Sequence, residues 1–305
     1  MRDLHWFLQR PRGCGKTALA WLLAQYLPWK IPCARVQVIE CAASELQGFP
    51  ALQVETVTPG PGEIISSSLL DRVDDALQGG PAEVPAIVDC GGMVDFDLQC
   101  RYLRGMQDIW QQGGIRLYVH APLCGRPLWE NTCCGTRELS DLFPGHLIVW
   151  INEQFSGIKT ADNLLVEQLR CLHMAGLVSV PAFKGYQNGM LCELLCNGWC
   201  FDDVLPRPEG GNEELHFSRG NWRRRMTRMD RVRVMGIRGR WFRAIRQSWN
   251  YPQEDLQLLK QRMQAEEQQC PQRELQLFRQ AYERALEIDR ECKQAEMLKQ
   301  LALGG

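Results

Sequence analysis

Five consecutive residues, Gly13-Cys14-Gly15-Lys16-Thr17, carry the strongest chemical signal in the chain. Glycines leave backbone N–H groups free to converge on an anion, a lysine neutralises phosphate charge, and a threonine hydroxyl can ligate Mg²⁺. The run stands directly after a short apolar segment, 4–8, and directly before a helical pattern that opens at Lys16. That corner is where the unpaired N–H groups of a helix N-terminus point outward. Gly13, Cys14, Gly15, Lys16 and Thr17 are the candidate phosphate-binding residues. The competing reading is a glycine turn with a surface lysine.

Two other constellations bear weighing. Cys192, Cys196 and Cys200 are four apart, with Cys171 and His173 upstream. Thiolates at that spacing invite a soft metal, but ligand spacings in known sites are tighter, so an apolar helix stripe of buried thiols is expected. Cys133 and Cys134 carry the same expectation. Residues 219–246, opened by Arg219 and closed by Arg246, hold eleven arginines against one acid, Asp230. Trp222, Trp241, Phe242 and Trp249 are interleaved with them or flank them. Arginine with tryptophan suits DNA, an anionic membrane surface, or a helix whose charges pair within the molecule. The net charge of −1 conceals this block, since the rest of the chain must sum to −11. The five histidines are scattered singly, and no Ser/His/Asp or Cys/His nucleophile pattern stands out.

Short runs rich in Val, Ile and Leu are expected as strands at 4–8, 36–39, 86–88, 117–120, 146–151 and 177–180. Runs apolar on both faces belong in the middle of a parallel sheet. Helical patterns fall between them at 16–27, 67–77, 96–112, 132–142 and 161–174. Strands alternating with helices predict an α/β fold, a three-layer sandwich around a mostly parallel sheet, with ligands at the carboxyl ends of the strands. The expected organisation is an α/β domain over 1–190, a basic, mainly helical section over 191–250, and an amphipathic helical tail over 251–305. No apolar run approaches the ~20 residues of a membrane-spanning helix. The first residues lack the apolar core of a secretory signal, so a cytoplasmic protein is expected, its 14 cysteines mostly buried thiols.

Several blocks together resemble the ParA/MinD type of P-loop ATPase and, within it, the TraL-type proteins of plasmid conjugation, of which this chain looks like a divergent relative. The blocks are Leu-His-Trp-Phe-Leu-Gln at 4–9, the glycine loop at 13–17, Leu-Leu-Ala-Gln-Tyr at 22–26, Ile-Val-Asp-Cys-Gly at 87–91 and Ile-Val-Trp-Ile-Asn-Glu at 148–153. The resemblance covers roughly 2–250. It implies a Rossmann-like P-loop fold, ATP and Mg²⁺ as ligands, and nucleotide-dependent association, with a homodimer and conjugation or partition proteins as partners. Lys16 and Asp89 would then be the catalytic pair, Thr17 and Asp89 the Mg²⁺ residues, and Asn152 an amide facing the adenine base. Asp89 as a strand-end cap and Asn152 as a turn former are the alternatives.

The departures are as specific as the matches. The family loop begins Gly-Lys-Gly, its lysine reaching across a dimer, where this chain has Arg10, Pro11 and Arg12. The acid that helps activate the attacking water is replaced by Ala42. The expectation is nucleotide held with slow hydrolysis. The alternative is a non-catalytic degenerate P-loop scaffold that binds nucleic acid or protein through its arginines and tail.

Overall fold

The computed structural model describes residues 2–30, 36–41, 46–49, 52, 54–58, 65–80, 84–91, 94–125, 127–153, 169, 172–182, 186–196, 198–201 and 228–248. Seven strands form one sheet: β1 (Arg2–Phe7), β2 (Gln37–Cys41), β3 (Val54–Val57), β4 (Ala86–Asp89), β5 (Ile115–Leu123), β6 (Leu147–Asn152) and β7 (Met174–Val180). Their order is β3-β2-β4-β1-β5-β6-β7, and every pairing is parallel. The helices are α1 (Lys16–Lys30), α2 (Ile65–Gly79), α3 (Phe96–Gln112), α4 (Trp129–Leu142), α5 (Tyr186–Cys196) and α6 (Arg228–Ser248). This is a Rossmann-like α/β architecture.

Parallel strands need helices over both faces, and side chains alternate accordingly. Phe7, Ile87, Tyr118, Ile148 and Trp150 point to the layer of α1, α5 and α6. Leu4, Trp6, Val88, Val119 and Val149 point to that of α2, α3 and α4. The sequence of α1 is apolar nearly all round from Ala18 to Leu27, as befits a helix packed on the sheet and covered again from outside. Helix α3 is amphipathic instead. Asp95 caps it by accepting from Leu98 N–H at 3.1 Å, and it stops at Gly113, before the turn into β5.

Six strands appear where the sequence places them, lengthened by a residue or a few at some ends. The seventh, β3, is an addition: an edge strand of four residues with only Val57 buried carries little apolar signal. The helix expected over 161–174 lies largely outside the described residues, and its last residue is corrected, because Met174 begins β7. The loop expected at 206–211 and the tail over 251–305 also lie outside them.

One expectation about the outer helices, the cysteine stripe, is overturned, and the arginine block is described in part. Helix α5 ends at Cys196, so Cys200 lies beyond it, and Cys192 and Cys196 are exposed while Cys200 is buried. The three cysteines share no face; Leu191 and Leu194 supply the buried contacts. Cys134 is exposed and Cys133 half-buried, so that pair is not a buried stripe either. Among the described residues no group of three His, Cys, Asp or Glu side chains is placed to hold a metal ion. Helix α6 buries Val234, Ile237, Arg238, Trp241, Phe242 and Ile245, a helical stripe directed into the core. Trp241 meets Trp21 edge-on at 6.3 Å and donates from Nε1 to the Pro181 carbonyl at 3.2 Å, while Phe242 packs on Tyr26 at 5.4 Å. Each of these apolar side chains contributes about 2 kcal/mol by leaving water. Trp241 and Phe242 are core residues and cannot stack on bases. Trp222, Arg223, Arg224, Arg225 and Trp249 lie outside the described residues.

The segment after α5 is keyed to the turn after β2, a short 3-10 helix over Leu46–Gly48. Gly198 is buried, at φ +63, and a Cβ there would stand 1.9 Å from the Gly48 carbonyl oxygen. No other residue fits that approach.

A buried polar chain crosses the sheet beneath α1. Trp150 Nε1–H donates to His120 Nδ1 at 2.8 Å, which puts the His120 proton on Nε2, where it donates to His5 Nδ1 at 3.1 Å. Burial, and next the neighbouring His5, hold the His120 pKa well below 6.5. The unfolded chain therefore takes up a proton that the folded chain refuses. This contribution to stability is complete above about pH 6.5 and is lost as the pH falls below it, by at most ~1.4 kcal/mol per pH unit. Melting temperature should fall between pH 7.5 and 5.5, and the fall should be smaller in His120→Gln. An equal fall in both proteins would show that His120 is not its source.

Candidate functional site

Strand β1 is central, and the chain leaves it towards one face of the sheet through α1. Its neighbours β4 and β5 send α3 and α4 to the opposite face. Connections that part in this way leave a crevice at the carboxyl end of β1, the place where open parallel sheets hold ligands. The glycine loop occupies it.

Gly13 and Gly15 adopt φ +72 and +87, a region that costs other residues about 1–2 kcal/mol. These conformations wrap the backbone around Cys14, whose side chain is buried. Lys16 opens α1 but its ammonium turns back over the loop. Nζ lies 3.1 Å from the Pro11 carbonyl oxygen, 3.4 Å from that of Gln9 and 3.5 Å from Cys14 Sγ. Thr17 follows on the first turn and acts on Asp89 at the end of β4. Asp89 is 1% exposed, and its Oδ1 accepts from Gly91 N–H at 2.9 Å. Burial pushes the Asp89 carboxyl up, and the Thr17 hydroxyl, the Gly91 N–H and the Lys16 charge draw it back. Its Oδ2 is buried and carries no hydrogen bond of full geometry.

Gln9 was not singled out in the sequence, yet it fixes the approach to the loop. Its amide donates to the carbonyls of Pro122 and Thr132 and to Thr136 Oγ1, each at 3.1 Å, and its Oε1 accepts from Arg10 N–H at 3.0 Å. Arg10 pairs with Asp97 at 3.2 Å and with Glu138, and its guanidinium lies 4.5 Å above the Phe96 ring. The segment that leads into the glycine loop is thereby clamped to α3 and α4. An open cavity of about 230 Å³ lies beside it, lined by Gln9, Arg10, Arg12, Gly91, Val94, Asp95 and Phe96.

The other sequence candidates are dispersed. Asn152 is fully buried at the end of β6, two strands from β1 and paired in register with Val180. Glu40 stands opposite Asp89 in the β2–β4 register, and its Oε1 accepts from Leu46 N–H at 2.9 Å. Ala42 lies outside the described residues. Local order in the sequence singled out the loop, the resemblance singled out Asp89, and the fold brings the two together. Nothing local marks Gln9, whose amide nitrogen finds its acceptors 113 to 127 residues away.

Fold and site together describe an α/β protein with a glycine loop at the switch point of an all-parallel sheet. No protein-family model matches the chain. It is similar to two proteins of Escherichia coli, each called Protein TraL. One is 24% identical over 214 residues, covering 67% of this chain and 88% of the relative. The other is 25% identical over 215 residues, with the same coverage of each.

Proposed function

We propose that the chain is a divergent ParA/MinD-type protein that binds ATP with Mg²⁺ at residues 13–17 and acts as an accessory protein of plasmid conjugative transfer. One observation carries the nucleotide reading: two glycines in positive φ, between the central strand and its helix, hold a lysine against their own loop with a carboxylate at the adjoining strand end. The similarity to TraL supports the setting in conjugation.

Backbone N–H groups of Gly13, Cys14 and Gly15 would receive the phosphates, and Lys16 would exchange its present carbonyl partners for phosphate oxygens. The Thr17 hydroxyl and the buried Asp89 suit a hard cation, which prefers oxygen ligands, and the Asp89 oxygen without a full hydrogen bond is a place for one of its waters. A Mg²⁺ held by these residues would supply positive charge against the phosphates. Asn152 would face the base.

Calorimetric titration of the purified chain with ATP in the presence of Mg²⁺ should show one site per chain, weakened when Mg²⁺ is removed. No heat, together with no displacement of a fluorescent ATP analogue, would overturn the reading in favour of a scaffold that holds no nucleotide. Among the described residues no helix is long and apolar enough to cross a membrane.

A further inference from the structure

Four buried cysteines stand in two pairs along the carboxyl edge of the sheet. Cys41 ends β2 and Cys90 follows β4, with their sulfurs 3.4 Å apart. Cys14 lies in the glycine loop, and Cys124, just past β5, donates from its thiol to the Cys14 carbonyl oxygen at 3.2 Å. The pairs differ in the charge beside them. Burial, and then the Cys41 thiol and the Asp89 charge, push the Cys90 thiol well above its usual value. Cys14 has the Lys16 ammonium 3.5 Å from its sulfur. The Cys124 thiol lowers the pKa of Cys14, burial opposes this, and Lys16 lowers it again, to about 7. The thiolate is the reactive form of a cysteine, and the ammonium beside Cys14 favours it there.

We propose that Cys14 and Cys124 form a redox-active pair in the empty loop, Cys14 as the attacking thiolate, Cys124 as the resolving thiol, and a small peroxide as the oxidant. The Cys14 sulfur attacks one peroxide oxygen and the O–O bond breaks. The departing oxygen leaves as water once protonated, and Cys14 is left as a sulfenic acid. The Cys124 sulfur then attacks the Cys14 sulfur, the S–O bond breaks, and the hydroxyl departs as a second water with the Cys124 proton. Two thiols lose two electrons and become a disulfide, while the peroxide gains them and becomes two waters. Arg12 and Gly13 are exposed and Gly15 partly so, so local opening of the loop admits an oxidant of that size.

In one respect the inference rests on the nucleotide reading: phosphate and thiolate compete for one ammonium. A nucleotide draws Lys16 away from Cys14 and adds negative charge nearby, and both effects return Cys14 to the thiol. A loaded loop is protected, and an empty one oxidises.

The test is hydrogen peroxide on the reduced full chain, with and without ATP and Mg²⁺, followed by peptide mapping under non-reducing conditions. The expected product joins Cys14 to Cys124 and leaves Cys41 and Cys90 as thiols. Cys124→Ser should instead accumulate a sulfenic acid on Cys14 that dimedone traps. The nucleotide should slow the reaction about tenfold, the effect of one unit in the thiol pKa. In the unmutated chain, alkylation of Cys14 by iodoacetamide should have its midpoint near pH 7. A cross-link between Cys41 and Cys90 in its place, or an alkylation midpoint at the ordinary value of about 8.5, overturns the inference. Calorimetry on the reduced protein separates the two claims. A Cys14–Cys124 cross-link without nucleotide binding retires the nucleotide reading and leaves the thiol pair standing. Binding without the cross-link does the reverse.

Discussion

Supplied with ATP and Mg²⁺, the purified protein is expected to release phosphate at a rate near the uncatalysed background even where binding is saturated. Phosphoryl transfer leaves a protein little to do except position water and neutralise developing charge. On the ParA/MinD-type reading proposed above, the acid after the second strand and the bridging lysine that would do this are replaced by Ala42 and Pro11. The groups nearby are otherwise engaged. Arg10 is held by Asp97 and Glu138 over the Phe96 ring, where it clamps the loop. Glu40 holds the Leu46 N–H, which ties it to the chain after β2. Each missing charge costs about 3 kcal/mol in the transition state, or roughly a hundredfold in rate, and two give about ten-thousandfold. Steady-state phosphate release should be measured beside equilibrium binding on the same preparation. Turnover on the order of one per second, abolished by Lys16→Ala, would show that the chemistry survives on a different acid.

Lys16→Ala should weaken ATP binding about thirtyfold, the loss of a charge-assisted contact worth ~2 kcal/mol. In the free protein the same ammonium satisfies the carbonyls of Gln9 and Pro11. Its removal also relaxes the loop, so a thermal melt of the variant belongs beside the titration. Lys16→Arg keeps the charge and should recover part of the affinity if charge is the cause. Equal affinity of wild type and Lys16→Ala by calorimetry would remove Lys16 from the binding site.

The sheet was legible because a parallel strand covered on both faces reads as an unbroken apolar run, as in Ala86–Asp89 and Leu147–Asn152. Strand β3 was not, because Val-Glu-Thr-Val at an edge looks like a loop. The glycine loop was legible because its chemistry is local and contiguous. Gln9, Cys124, Thr132 and Glu138 were not, because what unites them is the crevice between β1 and β5, which no window along the chain displays. The arginine block was ambiguous for a different reason. Aromatics interleaved with arginines look alike on a base-stacking surface and on an amphipathic helix, and only the packing of Trp241 on Trp21 separates the two. The cysteine row failed on periodicity, since a spacing of four means one helix face only while the helix lasts, and α5 stops at Cys196.

Where Gly198 meets Gly48, two main chains touch with no side chain between them to yield. Such a joint works as a strut. Compression across it must be borne by the backbone itself, because no side chain stands between the turn after β2 and the segment after α5. Glu40 ties one end of the strut, through Leu46, to the strand beside Asp89. At the other end Phe201, three residues past Gly198, packs against Trp241 and Phe242 of α6. A continuous line of contacts thus runs from the carboxyl edge of β2 to the outer, arginine-bearing helix.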